Sequence, residues 1–170
     1  MLNAMRRSKQ RRSLAARLYA ALVARARDPV FFARLGVKDT LDGRFDLMVL
    51  HAWLVLERLN AADEAPLAQA FVDTVFIGFD EAMRELGAGD IGMGKRVKKL
   101  ADAFYGRMQA YGEAQDEVAM EAALVRNLYR GRSEPSAKAM ARYVLGAMAR
   151  LKACDVEGGV LDFGPLPTEE

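Results

Sequence analysis

The chain holds one histidine, His51, and one cysteine, Cys154. Any catalytic or metal chemistry has to be built around these two. A histidine-assisted nucleophile would need Cys154 or a serine folded against His51, and no local signature around either residue prepares that arrangement. The Glu-x-x-His pattern of di-iron bundles is absent, because Met48 stands where the carboxylate belongs. His51 sits among Leu47, Leu50, Trp53 and Leu54, which are the surroundings of a buried, hydrogen-bonded core histidine. A single cysteine closes no internal disulfide and supplies no Cys-rich metal site. The expectation is a protein without catalytic residues, cofactor or metal, working in a reducing interior such as cytoplasm or organelle matrix.

Two strings invite a binding reading. Gly87-Ala88-Gly89-Asp90-Ile91-Gly92 matches G-x-G-x-x-G. That fingerprint needs a strand to deliver the chain to a helix N-terminus, whereas a long helical pattern precedes it here, so the glycines are read as an interhelical turn. The cluster Lys95, Arg96, Lys98 and Lys99 opens the helix that follows, at the end where the macrodipole disfavours cations. Either Asp90 and neighbouring carboxylates neutralise it, or an anionic partner binds it. A second basic run, Arg6, Arg7, Lys9, Arg11, Arg12, Arg17, Arg25 and Arg27, precedes the first acid, Asp28. It suits an anionic lipid surface or ribosomal RNA, and equally a flexible solubilising segment; specific DNA binding is not expected. Nine methionines fill the core or line an adaptable apolar groove.

The elements that must position these residues read as helices throughout. Apolar residues recur at helical spacing from Ser13 to Lys152, without the period-2 alternation of strands. An amphipathic helix from Leu14 to Arg27 meets Asp28-Pro29, an N-cap and N1 proline for a short second helix ending at Gly36. A third runs from Arg44 to Leu59 and a fourth from Pro66 to Leu86, with Phe71, Val75, Phe76, Phe79 and Met83 inward; these two are expected to be the central, buried pair. The fifth carries the stripe Val97, Leu100, Ala101, Phe104, Met108 and Tyr111. A sixth spans Asp116 to Arg130, and a seventh runs from Pro135 to Lys152. The expected fold is all-α, one compact domain of about seven helices over 14–153, with a flexible basic segment at 1–13 and a loose tail at 154–170.

Composition agrees with that organisation. Of 170 residues, 52% are hydrophobic and 28% charged, with a net charge of +2, an ordinary globular balance. The apolar run Leu18 to Ala24 is too short for a secretory signal, and Phe45 to Leu56 is interrupted by His51 and followed by Glu57 and Arg58, so no membrane span is expected. Membrane contact would be peripheral.

Three stretches together resemble the ubiquinol-cytochrome c chaperone family. They are Gly36 to Asp46 leading to Leu50-His51, Met83 to Gly92, and Phe104-Tyr105-Gly106-Arg107 with Ala110-Tyr111. The resemblance covers roughly Ala24 to Met148, and the short chain looks like a bacterial member. It implies an assembly chaperone that binds newly made cytochrome b, or another bc1 component, and supports maturation of the cytochrome bc1 complex. Relatives act beside a small partner protein and near the ribosome, and a bacterial member would work in the cytoplasm, at the inner face of the cytoplasmic membrane. The alternative is a peripheral, anionic-lipid-binding helical module. Lys95, Arg96, Lys98, Lys99 and Arg107 are the candidate partner contacts. Asp39, Asp42, Arg44, His51, Arg84 and Asp90 are candidate structural polar residues: Asp39, Thr40 and Asp42 would cap the third helix while Arg44 and Arg84 meet carboxylates between helices.

Overall fold

The computed structural model describes residues 2–85 and 92–167, leaving aside the side chains of Leu2 and Met93. The described residues form seven helices and no strand: α1 (Leu2–Ala26), α2 (Pro29–Ala33), α3 (Leu41–Ala61), α4 (Ala65–Glu85), α5 (Met93–Gly112), α6 (Glu117–Asn127) and α7 (Ala137–Lys152). Six are eleven residues or longer and α2 has five. The fold is all-α, as the periodicity predicts.

Helix α3 is the axis. Thr40 caps it, its hydroxyl accepting from the Gly43 amide at 3.1 Å. Gly43 lies against the Lys38 carbonyl so closely that a Cβ there would collide with backbone, which is why Asp42-Gly43 opens the helix. Leu47, Val49, Leu50, Ala52, Leu54 and Val55 are all buried, and each large aliphatic contributes roughly 1.5–3 kcal/mol by leaving water. Around α3 pack α1, α4, α5 and α7.

Only one of the two expected central helices is central. Helix α4 buries Leu67, Ala68, Phe71, Val75 and Phe79 but leaves Ile77 58% exposed. It is an amphipathic flank because α1 and α3 cover only one of its faces. Helix α1 packs tightly beside it, with Tyr19 filling the space that a Cβ on Gly78 would need.

Contacts along the helices fix their directions. The short α3–α4 turn makes that pair antiparallel, and Phe45 near the start of α3 meets Phe79 late in α4 at 5.1 Å. Helix α5 runs with α3: Arg107 meets Asp46 and Tyr111 meets Trp53 farther along both. Helix α1 ends beside the start of α3, since α2 closes on Val37 through the Phe31 carbonyl and Lys38 abuts Gly43. The basic start of α1 and the basic start of α5 therefore lie at opposite ends of the bundle and form no common patch.

One buried ion cluster ties α5 and the chain after α6 to this axis. Asp46 has no solvent exposure. Its carboxylate accepts from Arg107 at 2.8 Å and from Arg130 at 2.7 Å, and Arg130 also reaches Asp42 at 2.9 Å. Burial raises the Asp46 carboxyl above its ordinary range, and the two arginines pull it back toward the ionised form. Helix α6, expected to reach Arg130, stops at Asn127. Arg130 takes a left-handed conformation (φ 54°) and the Gly131 amide returns to the Val125 carbonyl at 2.8 Å, a helix stop that aims Arg130 at α3.

The two ends of the chain depart from expectation. Helix α1 begins at Leu2, not Leu14; Ala15, Leu18, Leu22 and Ala26 anchor it, and the helical backbone continues through the exposed basic residues ahead of them. The tail is no loose appendage over its described part. Val156 and Phe163 are buried, Phe163 packs edge-on against His51 at 5.4 Å, and its carbonyls receive Arg58 at Cys154, Arg17 at Gly158 and Arg25 at Gly164. Glycines and prolines here shape a strap over α1 and α3, and aromatic burial holds it.

The ion cluster makes a testable demand on stability. Asp46→Ala leaves the largely buried Arg107 guanidinium without its carboxylate and Arg130 with Asp42 alone, and lowers unfolding free energy by about 3 kcal/mol in urea titration. Arg44→Ala leaves the midpoint unchanged, because its Asp39 pair is exposed on both sides. Equal midpoints for the two variants would contradict the assignment.

Candidate functional site

A mainly apolar depression open to solvent lies between the later turns of α4 and the first turns of α5. It is a cavity of about 410 Å³ lined by Asp73, Phe76, Ile77, Phe79, Asp80, Met83, Val97 and Leu100. Its floor is an aromatic cluster: Phe104 meets Phe76 at 5.2 Å and Phe79 at 6.4 Å, and Tyr105 stacks on Phe76 at 6.3 Å. Farther along, α5 is held on α3 by the Arg107–Asp46 pair and by Phe104 and Tyr111, both fully buried. Toward its start that hold ends: Val97 is 37% exposed and Gly94 to Lys99 are exposed throughout. One helix pinned at one end and free at the other leaves an apolar cleft.

Lys95, Arg96, Lys98 and Lys99 are all exposed, and among the described residues no ion pair reaches them. At 100° per residue they fan around the helix. Lys98 shares the stripe of Tyr105, seven residues on, and so faces the α4 side of the cleft, while Lys95 and Lys99 point away from it. Arg107 is not one of them. Expected as a partner contact, it is only 15% exposed, lies 5.6 Å over the Phe45 ring and serves Asp46.

The expected polar scaffold is partly replaced. Arg44 binds Asp39 at 2.7 Å and Arg84 binds Asp80 at 2.8 Å; both pairs are local and exposed, and among the described residues neither arginine meets a carboxylate between helices. The Arg44 guanidinium beside Asp39 holds its carboxyl below the usual carboxylate range. Thr40 alone caps α3, and Asp42 turns to Arg130. Asp90 and the glycine string up to Ile91 fall outside the described residues. Asp46 and Arg130, which do the bridging, escaped the sequence reading; the signal was an aspartate inside the apolar run Phe45 to Leu50. Ile77, on the otherwise polar face of α4, was the corresponding signal for the cleft.

His51 is fully buried within a directed chain of hydrogen bonds. The Leu47 carbonyl lies 2.8 Å from Nδ1, so Nδ1 carries the proton and donates. Nε2 then accepts from the Tyr143 hydroxyl at 2.8 Å, and that hydroxyl accepts from Arg25 Nε at 2.9 Å. Burial pushes the imidazole down to about 4, and the Arg25 charge adds to it, while burial pushes the Tyr143 phenol up to about 12. His51 faces Phe31, Tyr143 and Phe163. Among the described residues no group of three His, Cys, Asp or Glu side chains is placed to hold a metal ion, and no helix is long and apolar enough to cross a membrane.

The profile of the ubiquinol-cytochrome c chaperone family matches residues 33–158, which include α3 to α7, the cleft and the ion cluster. The chain belongs to that family. It is similar over 97% of its length to a crystal structure of the Cbp3 homolog from Brucella abortus, covering 97% of that chain at 37% identity with a TM-score of 0.81. It is also 25% identical over 118 residues to the ubiquinol-cytochrome-c reductase complex assembly factor 1 of Xenopus laevis. That match takes in 67% of this chain, which spans only 59% of the relative's length.

In this chaperone family member the buried histidine predicts a pH dependence of stability with a definite sign. Its folded pKa of about 4 lies below the unfolded 6.5, so the folded state binds fewer protons between those values. The contribution is complete above pH 6.5 and is lost as pH falls, by about 2 kcal/mol at pH 5. Urea titrations at pH 7 and pH 5 should show that loss in the native protein and not in His51→Phe. The same loss in both would remove His51 as its cause.

Proposed function

We propose that this chain is an assembly chaperone for the cytochrome bc1 complex that holds an apolar segment of cytochrome b in the α4/α5 cleft until the segment finds its place. Membership of the family supports the reading, and the observation that carries it is the open apolar cleft. An assembly chaperone needs a surface that is apolar enough to compete for a membrane-protein segment and shallow enough to release it. Phe76, Ile77, Met83, Val97 and Leu100 supply such a surface on rigid helices. The chain acts by binding, without a reaction of its own. The site of action is the inner face of the cytoplasmic membrane, where the exposed cations at one end of the bundle, on α1 or on α5, favour an anionic surface.

The experiment is retention of cytochrome b from detergent-solubilised membranes on the tagged protein, with no vesicles present. Wild type retains it, and Ile77→Asp weakens retention roughly tenfold or more by placing a charge where apolar contact is needed, with an unchanged melting temperature. A variant with Lys95, Arg96, Lys98 and Lys99 as glutamates reports whether the cations also contact the client. If the folded wild type retains no cytochrome b but floats with anionic vesicles, the chaperone reading fails and the chain is a peripheral lipid-binding module.

A further inference from the structure

We infer that the α4/α5 cleft is shaped for an amphipathic helix of the kind that lies in a membrane surface, with carboxylates on one flank and cations on the other, and not for a membrane-spanning helix. The inference rests on the client reading above and narrows it to one class of segment.

Length is the first argument. The α4 wall runs from Asp73 to Met83, about 15 Å of helix, or nearly three turns. A spanning segment needs about 20 apolar residues and about 30 Å, twice what the cleft offers. Shape is the second: among the described residues the α4 and α5 walls and an aromatic floor bound the cleft, and these cover one face of a helix. A segment that is apolar all round would keep its remaining faces in water, whereas an amphipathic one leaves its polar face there.

Charge is the third argument. Asp73 and Asp80 line the α4 wall one above the other, seven residues apart with Ile77 between them. Asp80 is paired with Arg84, while Asp73 accepts only from Gln69 among the described residues. On the α5 side Lys98, on the stripe whose Tyr105 stacks on Phe76, stands at the rim two turns from that stack, toward the Met83 end of the cleft. A uniformly apolar occupant would strip water from Asp73 and Lys98 and return nothing. An occupant with cations toward α4 and carboxylates toward α5 satisfies both. Such rim pairs add little affinity but select the partner and its orientation.

The test uses three labelled peptides of equal length and identical apolar stripe, with flanks that are acidic on both sides, basic on both sides, or acidic on one and basic on the other. Binding to the intact protein is read by fluorescence anisotropy. Wild type should prefer the mixed-flank peptide by roughly threefold to fivefold. Asp73→Lys, which makes both walls cationic, should move the preference to the acidic peptide, and Lys98→Asp should move it to the basic one. Both sites are exposed, and unchanged melting temperatures show that the variants fold. Equal affinities in all three proteins, or displacement of the mixed peptide by a uniformly apolar spanning peptide at lower concentration, would overturn the inference. Retention of cytochrome b alongside such a result would leave the client reading standing; loss of that retention alone, with discrimination among the peptides intact, would overturn the client reading and keep the specificity of the cleft.

Discussion

A carboxylate with no access to water constrains everything around it. Asp46 sits in the first third of α3, the helix on which the others pack, and its charge is tolerated only because Arg107 comes from α5 and Arg130 from the chain after α6. Those two arginines bring distant segments to one point. Arg130 accepts a left-handed backbone to do so, and Arg107 gives up the solvent exposure that its place on a helix surface would allow. The consequence for function lies in what the cluster leaves alone. It pins α5 from Arg107 onward while the turns before Leu100 have almost nothing apolar to bury. The cleft between α4 and α5 is the space on the unpinned side.

A second polar network closes the opposite flank of α3. Arg25, Tyr143 and His51 pass hydrogen bonds from α1 through α7 into α3, ending on the Leu47 carbonyl. Phe163 then lays the C-terminal strap over the histidine. Both networks place ionisable groups in low-dielectric surroundings, where a satisfied set of hydrogen bonds fixes geometry more than it adds stability. The fold thus spends its buried polar groups on holding helices in register, and three of its exposed apolar residues, Ile77, Val97 and Tyr105, gather at the cleft.

Much of this was legible in the sequence because helical periodicity and Asp28-Pro29 are local signals with local causes. The burial of His51 followed from its four apolar neighbours. What escaped depends on partners remote in sequence. Arg44, Arg84, Arg107 and Arg130 look alike in composition, and only packing decides that the first two stay outside with Asp39 and Asp80 while the last two go in to Asp46. The start of α1 was misplaced because like charges argue against a helix, although the turns behind them are anchored by Ala15, Leu18 and Leu22. The strap was misread because glycine and proline signal irregular backbone, and irregular backbone packs well when an aromatic such as Phe163 holds it. Ile77 was overlooked because a single apolar residue on a polar face is unremarkable until Val97 stands opposite.

A bundle pinned at one end of α5, with an apolar cleft at the other, suits the proposed holding of a client segment. The most direct measurement is site-specific photocrosslinking in cells assembling the bc1 complex, with the reactive group placed at Ile77 in the cleft or at Val118 on α6, which is 77% exposed but outside it. The account predicts a crosslink to cytochrome b from Ile77 and none from Val118. Crosslinks from Val118 alone, or from neither position while the complex assembles, would contradict it.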